Sequence, residues 1–124
     1  MTLNEISKLL SCDVFCGEDE LNMEIDFGCA SDLMSDVLAF SRSGALLLTG
    51  LVNTQTIYTA FIAEINAVVF VRRKKPNEDM VALAREKKIP LLGTSYSMYE
   101  AAGILYKNGL FSTMECKSVK TDNE

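Results

Sequence analysis

Two runs, Ala45-Leu46-Leu47-Leu48-Thr49 and Ala67-Val68-Val69-Phe70-Val71, restrict the folds open to this chain. A strand with one face in water alternates apolar and polar side chains, whereas a strand covered on both faces is apolar throughout. Both runs are of the second kind, and the second has strong β propensity. A shorter run, Pro90-Leu91-Leu92, follows. The segments after each run have helix length and carry helix signals. Asn53 is placed to cap a helix to about Ile65, with Ile57, Ala60, Phe61 and Glu64 dividing an inner from an outer side. Asn77 caps the next helix, with Glu78 and Asp79 in its first turn and Lys87-Lys88 in its last, as the helix dipole favours. Ser97-Met98-Tyr99-Glu100 is a capping box, and Met98, Ala101, Ala102 and Leu105 follow with i, i+3, i+4, i+7 spacing. Gly109 stands where a helix-ending glycine belongs. The second half therefore reads β-α-β-α-β-α. The expected fold is α/β: a three-layer, mostly parallel sheet flanked by helices, with right-handed crossovers.

The first half is less regular. Thr2-Leu3-Asn4-Glu5 fits a capping box and starts a helix to about Leu10. Asp13-Val14-Phe15 reads as a short strand, Gly17 to Asn22 as a polar turn, and Leu21 to Phe27 as a second short strand. Gly28 and Ser31-Asp32 mark a turn into a helix with Ser31 as N-cap and Leu33, Val37 and Phe40 at helical spacing; Ser41 to Gly44 ends it. Residues 1–111 are expected to form one domain, and 112–124, polar and without periodicity, a loosely ordered tail.

A chain of 124 residues suits one domain, and its 48% hydrophobic and 23% charged content is that of an ordinary globular protein. No uncharged apolar run approaches the ~20 residues of a membrane span. The N-terminus lacks the basic start and apolar stretch of a secretory signal, so the cytoplasm is the expected compartment. The four cysteines are then reduced thiols. A net charge of −5 argues against general nucleic-acid binding, which depends on neutralising phosphates. The chain has no histidine. That removes the usual general base at neutral pH, the Ser-His and Cys-His nucleophile pairs and the commonest zinc ligand.

In open α/β sheets ligands bind beyond the carboxyl ends of the strands. Here that edge carries Thr49, Gly50 and Asn53 after one strand, Arg72 to Lys75 after the next, and Gly93, Thr94 and Ser95 after the last. Three helix N-termini point the same way, with N–H groups that favour anions. Ser31, Asp32, Thr49, Gly50, Asn53, Arg72, Thr94 and Ser95 are the candidate contacts to a phosphate or carboxylate. All of them also serve as ordinary turn and cap residues, and no G-x-G-x-x-G or P-loop fingerprint is present.

Other features carry similar alternatives. Arg72-Arg73-Lys74-Lys75 holds four of the 12 cationic residues, and suits either a phosphate or a solvated loop whose charge Glu78 and Asp79 offset. Asp32 and Asp36 at i, i+4 suit a divalent ion or acid/base work, and equally suit capping and exposure. Cys12-x-x-x-Cys16 with Cys29 matches no zinc or iron–sulfur spacing, so no metal is expected.

The stretch Ser31-Asp32-Leu33-Met34-Ser35-Asp36-Val37-Leu38-Ala39 resembles the "SDLLSDV" segment of small stand-alone DRTGG-domain proteins. Gly17-Glu18-Asp19-Glu20-Leu21, Lys75-Pro76-Asn77-Glu78, Ile89-Pro90-Leu91-Leu92 and Thr94 to Glu100 extend the resemblance over about residues 2–110. The family is similar to the N-terminal domain of HPr kinase/phosphorylase and occurs beside phosphotransacetylase and CBS domains. Its fold resembles the small N-terminal domain of Mur ligases. The resemblance implies a regulatory or sensory module, and in larger proteins these domains also help to build oligomers. The turn that gives the family its name corresponds here to Thr49-Gly50-Leu51-Val52-Asn53-Thr54 and lacks the Asp-Arg pair. No ligand role of that pair carries over, and no catalytic residue is transferred.

The leading expectation is a non-catalytic regulatory domain that binds a small anionic metabolite or nucleotide, without a cofactor, as a homodimer. The alternative is a protein-interaction or oligomerisation module with no small ligand. An enzyme using Asp32, Asp36 or a lysine is the third reading, and the lack of histidine counts against it.

Overall fold

The computed structural model describes residues 1–113. Five helices, α1 (Leu3–Leu9), α2 (Met34–Phe40), α3 (Thr54–Ile62), α4 (Glu78–Lys87) and α5 (Met98–Lys107), surround five strands, β1 (Asp13–Cys16), β2 (Phe27–Ala30), β3 (Ala45–Thr49), β4 (Ala67–Phe70) and β5 (Leu91–Gly93). The strands form one sheet in the order β1-β5-β4-β3-β2. Strands β2 to β5 are parallel, and β1 joins the β5 edge antiparallel.

The apolar runs are explained by what covers them. Leu47, Val68, Phe70 and Leu91 enter one core layer with Met34, Ile57 and Met80 of α2, α3 and α4. Leu46, Leu48, Val69 and Leu92 enter the opposite layer with Leu3 and Ile6 of α1 and Ala101 and Leu105 of α5. Successive side chains point to opposite faces, and both faces are dry, so no position in β3 or β4 can be polar unless its hydrogen bonds are met within the protein. Leu46, Leu47, Val68 and Phe70 are all 0% exposed.

The helix signals at Thr2, Asn53, Asn77, Ser97 and Gly109 act locally as expected. Thr2 Oγ1 accepts the Glu5 N–H while the Glu5 carboxylate accepts the Thr2 N–H. The same reciprocal pair joins Ser97 and Glu100 at the start of α5. Asn53 and Asn77 cap α3 and α4 through the N–H groups of Thr56 and Met80. Gly109, just past the end of α5, has φ 103°.

Three expectations are corrected. Leu21–Phe27 is not a strand; apart from one bridge between Thr2 and Glu24 it is turn and coil up to Phe27. The strand is Phe27–Ala30, running through Gly28. Phe-Gly-Cys-Ala has little strand propensity of its own, and its backbone is held from both sides instead. It pairs with β3, and on its outer side the Gly28 N–H donates to Phe111 O (2.8 Å) while Gly28 O accepts from the Thr113 N–H (3.1 Å). Second, Ser31 is not the N-cap of α2. Leu33 takes that position with no side-chain hydrogen bond, and Ser31 Oγ accepts the Leu33 N–H in a turn before the helix. Third, α3 stops at Ile62 rather than Ile65, because Glu64 turns left-handed at φ 59°.

Ser112 and Thr113, the start of the expected tail, are seated at the β2 edge, where the Thr113 hydroxyl also donates to Phe40 O at 2.9 Å. The rest of that expected tail lies outside the described residues. No helix among the described residues is long and apolar enough to cross a membrane.

Candidate functional site at the carboxyl edge of the sheet

Parallel pairing of β2, β3, β4 and β5 brings four strand ends to one edge. At the β3 end, Asp32 reaches across from the end of β2. Its Oδ1 accepts the Gly50 N–H at 2.7 Å and the Thr49 hydroxyl at 3.1 Å. Thr49 Oγ1 in turn accepts the Leu51 N–H at 3.1 Å. The N–H groups of Gly50 and Leu51 are therefore satisfied by the chain itself. Asp32 occupies the position an external anion would take.

The basic loop follows β4 and is built as a rigid feature. Arg72 and Arg73 are both left-handed, with φ 57° and 62°. That conformation costs a non-glycine residue about 1–2 kcal/mol, and main-chain hydrogen bonds hold it in place. The Arg72 N–H donates to Tyr96 O (2.8 Å) and the Arg73 N–H to Thr94 O (2.9 Å). Lys74 Nζ donates to Gly50 O at 3.0 Å and ties the loop across the end of β3. The Arg72 guanidinium lies over Gly50, where a Cβ would stand 3.2 Å from its Nη2.

On the β5 side of the loop is a cavity of about 170 Å³ lined by Ser11, Phe15, Arg73, Lys74, Lys75 and Ser95, among others. The antiparallel placement of β1 creates it, because Asp13 at the start of β1 pairs with Gly93 at the end of β5. The Phe15 ring lies against Gly93 so closely that any Cβ there would come within 2.6 Å of it, so only glycine fits.

The ion pairs among the described residues are Met1–Glu24 and Arg85–Glu18. None involves Arg72, Arg73, Lys74 or Lys75, and Glu78 and Asp79, in the first turn of α4, do not pair with them. The edge thus sets four cationic side chains against the carboxylates of Asp13 and Asp32. The four are exposed, so each attraction is weakened by solvent and salt. A ligand with several negative charges would gain most.

The eight residues singled out from the sequence divide by what their side chains do. Asp32, Thr49, Gly50 and Arg72 are brought together at the β3 end. Ser95 is exposed at the rim of the β5-side cavity. Thr94 is 2% exposed, and its hydroxyl donates to Leu10 O at 2.6 Å and accepts the Tyr96 N–H. The Asn53 side chain is committed to Thr56, and Ser31 to Leu33. Sequence reasoning left out Arg73, Lys74 and Lys75 as separate contacts, and Ser11 and Phe15 altogether. The loop residues were legible as a charge run. Ser11 and Phe15 were not, because only the position of β1 in the sheet brings them there.

Among the described residues metal and thiol chemistry find little footing. Asp32 precedes α2, so it does not share a helical face with Asp36. Among the described residues no group of three or more Cys, Asp or Glu is arranged to hold a metal. Burial pushes the Cys12 thiol up to about 12, with the Asp13 charge adding to the effect, and the Cys29 thiol up to about 11. Burial also raises Cys16. Such thiols are poor nucleophiles at neutral pH.

Neither a protein-family model nor a curated protein matches this sequence. Among solved structures, the chain is similar to the CBS and DRTGG domains of the regulatory region of Clostridium perfringens pyrophosphatase, complexed with its activator diadenosine tetraphosphate. The TM-score is 0.67 at 13% identity, over 84% of this chain and 45% of that one. The chain thus spans less than half the length of that neighbour, and the likeness is one of fold. The five-stranded, mostly parallel sheet flanked by five helices is a DRTGG-like α/β architecture.

Proposed function

We propose that this chain is a DRTGG-family regulatory domain that binds a nucleotide or phosphorylated metabolite at the carboxyl edge of its sheet and catalyses no reaction. The observation that carries the reading is the basic loop. In a chain of net charge −5, Arg72 and Arg73 stand on a backbone held in a costly conformation with Lys75 close by, and no carboxylate pairs with any of the three among the described residues. Strain of this kind collects at functional sites. The motif resemblance and the shared fold support the family. The neighbour's complex with a nucleotide activator makes nucleotides the first ligands to try. Three free thiols among the described residues suit a reducing compartment such as the cytoplasm.

The test is a thermal-shift screen against adenine nucleotides, dinucleoside polyphosphates and phosphorylated metabolites. A ligand at about 100 times its Kd adds roughly 2.7 kcal/mol, worth several degrees in a domain of this size. A flat screen on well-folded protein overturns the reading.

A second reading, an oligomerisation module, is favoured by α3. Its sequence Thr-Gln-Thr-Ile-Tyr-Thr-Ala-Phe-Ile has no charged residue, and Tyr58, Phe61 and Ile62 are exposed on its outer side. Depletion of charge with retained aromatic residues marks interface cores. Light scattering of wild type and Ile62→Glu tests it: a dimer that becomes a monomer supports it, and a monomeric wild type at all concentrations rejects it.

A further inference from the structure

We propose that the outer face of α5 is a platform for the base of the bound nucleotide, with Tyr99 as the stacking ring. The inference rests on the basic-loop reading and adds the ligand's class: a nucleoside polyphosphate rather than any multiply charged anion.

Two observations on the same face carry it. Tyr99 is 90% exposed, far more than any other large apolar or aromatic side chain among the described residues. Among the described residues it makes no hydrogen bond or ring contact that would account for its position. One turn further along lies Gly103, exposed in the middle of the helix, where a Cβ would meet nothing within 4 Å. A glycine inside a helix costs about 1 kcal/mol relative to alanine. No described residue occupies the space it leaves. Together with Tyr96, Glu100, Ala102, Ile104, Tyr106 and Lys107, these residues line a broad, shallow depression of about 720 Å³; the Glu100 carboxylate is engaged in the capping box with Ser97.

The depression adjoins the basic loop. Tyr96, on its wall, accepts the Arg72 N–H through its main-chain oxygen at 2.8 Å. Tyr99 is three residues further on, so its Cα lies within about 10 Å of that of Tyr96. A ligand with phosphates at Arg72 and Arg73 therefore has an aromatic surface within reach of its base. Base–aromatic stacking is worth about 1–3 kcal/mol per base, and Gly103 leaves the floor open for a planar ring to approach the helix backbone. The cations of the loop favour this occupant over an apolar one.

The test compares ATP with inorganic tripolyphosphate, both without divalent metal, by calorimetric titration of wild type, Tyr99→Ala and Gly103→Leu. In wild type ATP should bind more tightly than tripolyphosphate. Tyr99→Ala should weaken ATP by roughly 5- to 100-fold and leave tripolyphosphate unchanged. Gly103→Leu should act in the same direction on a helix at least as stable as before. Equal affinities for the two probes, unmoved by Tyr99→Ala, overturn the platform and leave the basic-loop reading standing. Binding of neither probe removes both. A Tyr99→Ala variant with lowered oligomeric mass and unaltered ATP affinity assigns the face to a protein contact, and also overturns the proposal.

Discussion

The Asp32 carboxylate accepts the main-chain N–H of Gly50 at 2.7 Å, which joins the ends of β2 and β3. The bond makes Asp32 a built-in anion at the edge where an external one is proposed to bind. Asp32→Asn keeps an acceptor oxygen and removes the charge. Anion affinity should then rise about 2- to 5-fold, since a like charge nearby in a solvent-exposed setting costs on the order of 0.5–1 kcal/mol. Titration with tripolyphosphate checks this. Asp32→Ala should also lower stability by about 1–2 kcal/mol in urea unfolding, through the lost charge-assisted bonds to Gly50 and Thr49.

Thr94 gives a contrasting prediction. Its hydroxyl is buried and joined to Leu10 O and the Tyr96 N–H. Thr94→Val leaves both partners unmet and should cost about 1–3 kcal/mol. Anion affinity measured on the folded fraction should be unchanged. A drop in affinity with stability intact would show the hydroxyl to be a ligand contact.

Arg73 separates charge from conformation. At φ 62° glycine is the residue best suited to the backbone. Arg73→Gly should be more stable than Arg73→Ala by about 1 kcal/mol, while both lose anion affinity equally. Paired urea curves and titrations read the two effects apart.

Gly103→Ala should raise stability by about 1 kcal/mol, because a Cβ there meets nothing and the helix gains propensity. The melting temperature should rise by a few degrees. No rise would mean that the glycine relieves a contact within the chain.

The buried thiols add a pH dependence on the alkaline side. Cys12 and Cys29 are protonated in the folded state up to about 12 and about 11, against 9.0 for the free group. Above pH 9 the unfolded chain releases these protons and the folded chain retains them, so stability falls as pH rises from 9 toward 11–12. The slope has an upper limit of about 1.4 kcal/mol per pH unit for each thiol. Below pH 9 these groups contribute no pH dependence. Cys12→Ser with Cys29→Ser should flatten the curve above pH 9.

Much of the parallel core was readable from residue type. Runs such as Ala67 to Val71 are apolar on both faces only if both faces are covered, and Asn53, Asn77 and Ser97 mark helix starts through bonds to their own neighbours. β2 was misplaced for the opposite reason. Phe27–Ala30 is a strand because β3 and Phe111–Thr113 pair with it, and those partners are distant in sequence. At the site, Arg72 was visible as charge. The turning of Asp32 away from α2 toward Gly50 depends on the spacing of β2 and β3, and the seating of Phe15 on Gly93 depends on β1 lying antiparallel at the far edge.

The most direct measurement is calorimetric titration with ATP of wild type and of the triple variant Arg72→Ala/Arg73→Ala/Lys75→Ala, which leaves the Lys74 tie to Gly50 in place. The variant should fold normally and lose affinity by at least about tenfold, or ~1.4 kcal/mol, with a shallower dependence on salt. Equal affinity in the two proteins would contradict the assignment of ligand binding to this loop.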